Sequence, residues 1–83
     1  MTTLTIYSKT NCQYCDQAKA LLAKKEVPYL EVMIDLDVDS KAFLAEKGLR
    51  SVPQFFFGRD LAFEGGYNGL LQQPESFFDK LRG

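Results

Sequence analysis

The sequence predicts a single α/β domain, with a four-stranded mixed sheet flanked by helices. Strand-like segments alternate with segments of helical periodicity, which is typical of layered α/β structures. The first strand, helix and second strand form a βαβ unit, whose strands must run parallel with a right-handed crossover. Two later strand-like segments are joined by the short turn Gly58–Asp60 and predict an antiparallel hairpin. The 83 residues suit one domain, which we expect to span residues 1–83.

The βαβ unit occupies the first half of the chain. Leu4–Tyr7 alternates apolar and polar residues and is predicted to be the first strand. A helix is expected to open near Cys12 or Gln13 and to run to about Lys25. Its apolar residues are spaced to share one face: Cys15, Ala18, Leu21 and Leu22. Tyr29–Ile34 is predicted to be the second strand.

A second helix should follow the acidic segment 35–39. We expect Asp39 to cap it, with Val38 and Phe43 packed together as a hydrophobic staple. Gly48 is expected to end this helix, because glycine accepts the left-handed conformation common after a helix.

The hairpin and two further helices complete the predicted order. Gln54–Phe57 should be a third strand buried on both faces, and Leu61–Glu64 a fourth strand. Gly65–Gly66 is expected to open a short helical turn over residues 67–72, and Pro74 suits the start of a last helix. The inner face of that helix would consist of Phe77, Phe78 and Leu81.

Composition excludes several classes of function. Lys and Arg total 10 against 11 Asp and Glu, so there is no excess positive charge for nucleic acid. The apolar runs are too short for a membrane span, and the first residues lack a secretory signal, so we expect a cytoplasmic protein. With 0 His, the chain cannot build a Ser-His-Asp or Cys-His site or a His-ligated metal site alone.

The two cysteines, Cys12 and Cys15, stand at the first strand-to-helix turn. A CxxC pair at that point of a βαβ pattern favours a thioredoxin-like fold. If the helix begins at Cys12, its unpaired N–H groups and its dipole stabilise the Cys12 thiolate and lower the thiol pKa. Cys12 would then attack disulfides, and Cys15, one turn further and facing the core, would resolve the mixed disulfide.

Two other interpretations of the pair are available. A zinc site needs four ligands, and the chain has no further Cys or His to complete one, so no metal site is predicted within one chain. An iron–sulfur cluster bridging two chains through Cys12 remains an alternative in which the protein is a carrier and not an enzyme.

Three motifs together resemble the glutaredoxin family along essentially the whole chain. They are Tyr7–Lys9 followed by Cys12–Cys15, then Ser51–Gln54, then Gly65–Tyr67. The resemblance implies a thiol-disulfide oxidoreductase that uses glutathione as co-substrate and has no permanently bound cofactor. Protein disulfides and glutathione mixed disulfides would be its substrates, ribonucleotide reductase a candidate client, and the protein a monomer. Gly48–Ser51 also resembles redoxins of the same fold that take electrons from thioredoxin reductase. Such a redoxin is the alternative within this fold.

The resemblance also implies roles for residues around the cysteines. Lys9 would meet the glycine carboxylate of glutathione, and Tyr14 would form a wall of the groove. The backbone of Val52 would pair with the cysteine part of glutathione as an added strand does. Pro53 would follow a cis peptide bond and lie beside the cysteines.

The other end of glutathione would lie at the glycine turn. The N–H groups near Gly66 and Tyr67 would hold the γ-glutamyl carboxylate. Asn68–Gly69 departs from the family, which commonly has two Asp there to bind the γ-glutamyl ammonium, so Asn68 would be a weaker partner. Leu49 replaces a residue that is often polar, and Arg50 remains as a further partner for a carboxylate.

Overall fold

The computed structural model describes residues 3–82 and contains one four-stranded mixed sheet. Its strands are β1 (Leu4–Ser8), β2 (Tyr29–Met33), β3 (Gln54–Phe57) and β4 (Asp60–Leu61), and they lie in the order β2-β1-β3-β4. β1 pairs with β2 in parallel, whereas β3 is antiparallel to both β1 and β4. The predicted combination of a parallel βαβ half and an antiparallel hairpin is confirmed.

Four helices surround this sheet: α1 (Gln13–Lys24), α2 (Val38–Glu46), α3 (Gly66–Leu71) and α4 (Glu75–Arg82). The first helix begins and ends where its pattern predicts. Gly48 follows the end of α2 with a φ of 76°, which confirms its predicted role. Across residues 3–82, no helix combines the length and apolar character that a membrane crossing requires.

The main core lies between one face of the sheet and the helices α1, α3 and α4. Ile6 of β1 stands opposite Phe55 of β3, and both side chains are fully buried. Buried residues of the three helices complete the cluster: Ala18, Leu22, Leu70 and Phe78. Burying these apolar side chains is the main source of the fold's stability, at roughly 1.5–3 kcal/mol for each large one.

The opposite face of the sheet is covered by α2 through an aromatic cluster. Phe43 of α2 stacks on Tyr7 with ring centroids 5.7 Å apart and lies 5.2 Å from Phe56. The guanidinium of Arg59 and the ammonium of Lys47 lie over the outer side of Phe43, at 5.2 and 5.6 Å from its centroid. Phe43 thereby fixes α2 against the strand that leads to the cysteines.

The predicted start of α2 was wrong by two residues. Asp37, and not Asp39, caps the helix: its backbone is extended and its carboxylate accepts hydrogen bonds from the Asp39 N–H and the Ser40 hydroxyl. Val38 consequently lies in the first turn and is 81% exposed, so it forms no staple with Phe43. Two acidic residues two positions apart are equally good caps by sequence, and the position of Phe43 on the sheet selects the earlier one.

The fourth strand is shorter than predicted and begins earlier. The sheet pairing covers only Asp60–Leu61, and one further hydrogen bond joins the Ala62 N–H to the Phe55 carbonyl. The chain then turns away to reach α3, where Gly69 packs against the backbone of Glu64. Residues 63–64 therefore leave the sheet to bring α3 into place.

A polar network connects α1 with the parallel pair of strands. The ammonium of Lys19 lies 2.7 Å from the carboxylate of Glu31, which also accepts a hydrogen bond of 2.8 Å from the buried Ser8 hydroxyl. The bonds from Lys19 and from Ser8 lower the pKa of Glu31 below its ordinary value of 4.5. The network supports the end of β1 directly before the cysteine turn.

We expect Glu31→Gln to lower the free energy of unfolding by about 0.5–1 kcal/mol at neutral pH, as for a partly exposed ion pair. A carboxylate with a lowered pKa stabilises the fold above its unfolded-state pKa, and this contribution is lost as the pH falls through the folded-state value. The difference between variant and wild type should therefore shrink below about pH 4.5. Urea unfolding across the pH range measures it, with the exposed Glu64→Gln as control. A difference that persisted unchanged at acid pH would contradict the assignment.

Candidate active site

The turn between β1 and α1 places Cys12 at the helix N-terminus. Asn11 takes a φ of 58°, a left-handed conformation that asparagine tolerates better than most residues. Cys12 is the N-cap, and the backbone N–H of Cys15 lies 3.2 Å from Cys12 Sγ and donates to it. One N–H of the first turn, that of Cys15, is thus directed at this sulfur, whereas several were predicted.

The two cysteines differ in their access to solvent. They form a disulfide in this structure, so the fold is shown in its oxidised form. Cys12 is 8% exposed and lines a cavity, whereas Cys15 is 1% exposed and faces the core. An external thiol or disulfide can therefore approach Cys12 in preference to Cys15.

The loop before β3 forms the wall opposite the cysteines. The Val52 carbonyl oxygen lies 4.0 Å from Cys12 Sγ, and the Val52–Pro53 bond is cis, as the family resemblance implied. Gln54 is buried, and its amide donates to the carbonyl and hydroxyl oxygens of Ser51 at 3.1 and 3.3 Å. This buried amide connects the start of β3 to the loop that faces the cysteines.

The N-terminus of α3 packs directly on that wall. Gly65 and Gly66 both have positive φ, and a Cβ on Gly66 would lie 2.8 Å from the Pro53 carbonyl oxygen. Only glycine allows this approach. Tyr67 then follows in the first turn, and its ring lies 5.7 Å from the ring of Tyr14, which is 60% exposed. The Tyr14 ring thus lies at the surface beside Tyr67 and is not part of the core.

Two adjoining cavities bring the predicted glutathione residues together. A cavity of about 240 Å³ is lined by Tyr14, Ser51, Val52, Pro53, Gly65, Gly66, Tyr67 and Asn68. A larger one of about 620 Å³ is lined by Lys9, Cys12, Gln13, Tyr14, Ile34, Asp35, Lys41, Arg50, Ser51 and Val52. Because both share Tyr14, Ser51 and Val52, they form one groove that passes Cys12. Every residue that the sequence assigned to glutathione lies on it.

Sequence reasoning missed two charged residues of the larger cavity, Lys41 and Asp35. Asp35 accepts a hydrogen bond of 3.2 Å from the Thr10 N–H, and bonds from Thr10 together with the charge of Lys9 lower its pKa. Lys41 is on α2, and nothing in its local sequence indicates that this helix turns it toward the cysteines. In residues 3–82, no cluster of three or more His, Cys, Asp or Glu side chains could hold a metal ion.

Comparison with known proteins assigns the chain to a family. The family model described as Glutaredoxin matches residues 4–62. The chain belongs to the glutaredoxin family. The cysteine pair that the family uses is present, and the chain is a thiol-disulfide oxidoreductase.

Individual glutaredoxins are similar over most of their length. Glutaredoxin 1 of Rickettsia prowazekii is 37% identical over 83 residues, which cover 95% of this chain and 85% of that protein. Glutaredoxin 3 of Escherichia coli K12 is 37% identical over 71 residues, covering 84% and 83%. The crystal structure of a buckwheat glutaredoxin–glutathione complex matches with a TM-score of 0.69 at 28% identity, covering 98% of this chain and 73% of that one.

We expect the Cys12 thiol of the reduced glutaredoxin to titrate well below the free-thiol pKa of about 8.5, because the helix N-terminus stabilises its thiolate. The ultraviolet absorbance of the thiolate, followed against pH in the Cys15→Ser variant, measures the midpoint. A midpoint at or above the free-thiol value would show that the N–H groups do not act on this sulfur in the reduced protein.

Proposed function

We propose that this chain is a glutathione-dependent reductase of protein disulfides and of glutathione mixed disulfides. One observation carries the proposal: Cys12 opens onto a groove lined by all the residues that the resemblance assigns to glutathione. The buckwheat relative, whose structure is a complex with glutathione, supports the same ligand here.

The proposed reaction begins at Cys12. Its thiolate attacks one sulfur of the substrate disulfide, forms a mixed disulfide and releases the other substrate sulfur as a thiolate, which takes up a proton. The Cys15 thiol loses its proton and attacks Cys12 Sγ, which releases the second substrate thiol and leaves the Cys12–Cys15 disulfide. Two electrons pass to the substrate. Two glutathione molecules then reduce the protein disulfide and leave as one glutathione disulfide.

Each part of glutathione would have its own partners in the groove. The cysteine part would pair with the backbone of Val52, whose carbonyl lies beside Cys12 Sγ. The glycine carboxylate would lie toward Lys9 and Arg50, and the γ-glutamyl carboxylate toward the backbone N–H groups of Gly66 and Tyr67. The glycine carboxylate would thus meet positively charged side chains, and the γ-glutamyl carboxylate would meet backbone N–H donors.

We further propose a cytoplasmic setting, monomeric action and ribonucleotide reductase as one client. A reducing compartment keeps a CxxC dithiol available for exchange, and two cysteines three positions apart are too close to staple distant parts of a secreted fold. Turnover of a purified ribonucleotide reductase with this protein as its sole dithiol donor would test the client.

Substitution of each cysteine should separate their roles. Cys12→Ser should abolish all exchange, since it removes the attacking thiolate. Cys15→Ser should lose the reduction of protein disulfides but keep activity on glutathione mixed disulfides, where a second glutathione resolves the intermediate. Both variants are assayed on both substrates by NADPH oxidation with glutathione and glutathione reductase. An active Cys12→Ser with a dead Cys15→Ser would reverse the assignment.

Asn68→Asp should strengthen the use of glutathione. A carboxylate at this place in the smaller cavity would accept a charge-assisted hydrogen bond from the γ-glutamyl ammonium, and we expect the KM for glutathione to fall by about tenfold. Gly69→Asp is the matched comparison, because a Cβ there would overlap the Glu64 carbonyl oxygen. That variant should lose stability without improving the KM.

The same assay discriminates between electron donors. The wild type should turn over with glutathione and glutathione reductase, and an unchanged KM in Asn68→Asp would contradict the placement of the ammonium. Fast turnover with thioredoxin reductase alone, and none with glutathione, would replace the proposed donor.

A further inference from the structure

The larger cavity holds more positive charge than the glycine carboxylate of glutathione can neutralise. Lys9, Lys41 and Arg50 line it, and Asp35 is the one carboxylate among its lining residues within the part of the chain described. Three cations less one anion leave two net positive charges beside Cys12. The glycine end of glutathione supplies one negative charge.

These cations are not used to hold the fold together. The ion pairs found within residues 3–82 involve other basic residues, namely Lys19, Lys25 and Arg82. Lys9, Lys41 and Arg50 are exposed around the cavity, and the Asp35 carboxylate already accepts the Thr10 N–H. An excess of positive charge around a cleft concentrates the field there and attracts anions.

The other end of the groove has no such charge. All the described residues that line the smaller cavity are uncharged, and two of them are the neighbouring rings of Tyr14 and Tyr67. Asn68 stands here as a neutral amide. Charge is therefore distributed unevenly along the groove, with a cationic region beside Cys12 and a neutral, aromatic region beyond Val52.

We propose that the groove selects protein disulfides by the residues on either side of the reacting cysteine. The residues on the side that lies over Lys41 are acidic, and those on the other side are uncharged. This inference rests on the proposed function, because the client occupies the same groove and reacts with the same sulfur. The larger cavity, at about 620 Å³, is within the range of roughly 300–1,000 Å³ of ligand sites, so it accommodates side chains next to the cysteine of an extended segment.

The acidic side chains take no part in the bonds that change. The Cys12–Cys15 dithiol gives two electrons and two protons to the client disulfide, which opens to two thiols, and the protein is left with its own disulfide. Lys41 acts on the encounter and on the binding of the client. Its effect should therefore appear in the second-order rate constant and weaken at high salt.

The experiment uses pre-reduced protein, without any recycling system, and synthetic peptides that each contain one internal disulfide. In one series the two residues after the first cysteine are Asp-Asp, Asn-Asn or Lys-Lys, and in a second series the same pairs precede it. We expect the Asp-Asp peptide to react about tenfold faster than the Asn-Asn peptide in one series only. This preference should shrink with added sodium chloride, and the Lys-Lys peptide should be the slowest.

Lys41→Gln should lower the Asp-Asp to Asn-Asn rate ratio by about threefold or more. The control is Lys80→Gln, which removes the same charge at an exposed site near the end of α4, outside the residues that line the groove. The ratio should be unchanged in that variant. Equal rates for all wild-type peptides, or an equal fall of the ratio in Lys80→Gln, would overturn the proposal.

Failure of the inference and failure of the proposed function give different results. Pre-reduced protein needs no glutathione, so a clear acidic preference supports the inference even if glutathione proves not to be the donor. Reduction of the peptides without any acidic preference would refute the inference and leave exchange at Cys12 intact. No reduction of any peptide would refute both.

Discussion

The pairing of β1 with β3 determines where the chemistry of this protein takes place. Tyr7 stands opposite Gln54 in an antiparallel register. Residues that follow β1 therefore lie beside residues that precede β3, and Cys12 meets Val52 although 40 positions separate them. The fully buried Ile6 and Phe55 fix this register, since a slip by one residue would turn each apolar side chain to the wrong face. The hydrophobic core thus sets the distance between the nucleophile and its opposite wall.

The sequence predicts those parts of the fold that depend on local patterns. The periodicity of α1, the βαβ order and the CxxC position follow from residues close together in the chain, and the structure agrees with them. The start of α2 could not be decided locally, because Asp37 and Asp39 are chemically identical caps and tertiary packing of Phe43 selects one. The length of β4 likewise depends on α3, a contact that lies outside the strand itself.

The candidate site was predictable where motifs carry it and not where packing does. Lys9, the cysteines and Pro53 belong to recognisable motifs, and the structure places Lys9 and Cys12 on one cavity and Pro53 on the adjoining one. Lys41 was missed because a lysine on an amphipathic helix is ordinarily a solvated charge, and only the orientation of α2 brings it to the cavity. At Gly69 the sequence suggested a functional loss, because the family commonly has an acidic residue there. The structure gives a packing reason instead, since this position has no room for a side chain.

The close approach of Gly66 to the Pro53 carbonyl limits which changes of sequence can alter the shape of the groove. The two backbone segments that bound its neutral end already touch, and a single Cβ between them would lie 2.8 Å from the carbonyl oxygen. The groove therefore cannot be narrowed there by bringing the two segments closer, because their backbones already approach too closely to admit a Cβ. A side chain at Gly66 is excluded as a source of new preferences, which leaves exchange of neighbouring rim side chains such as Asn68.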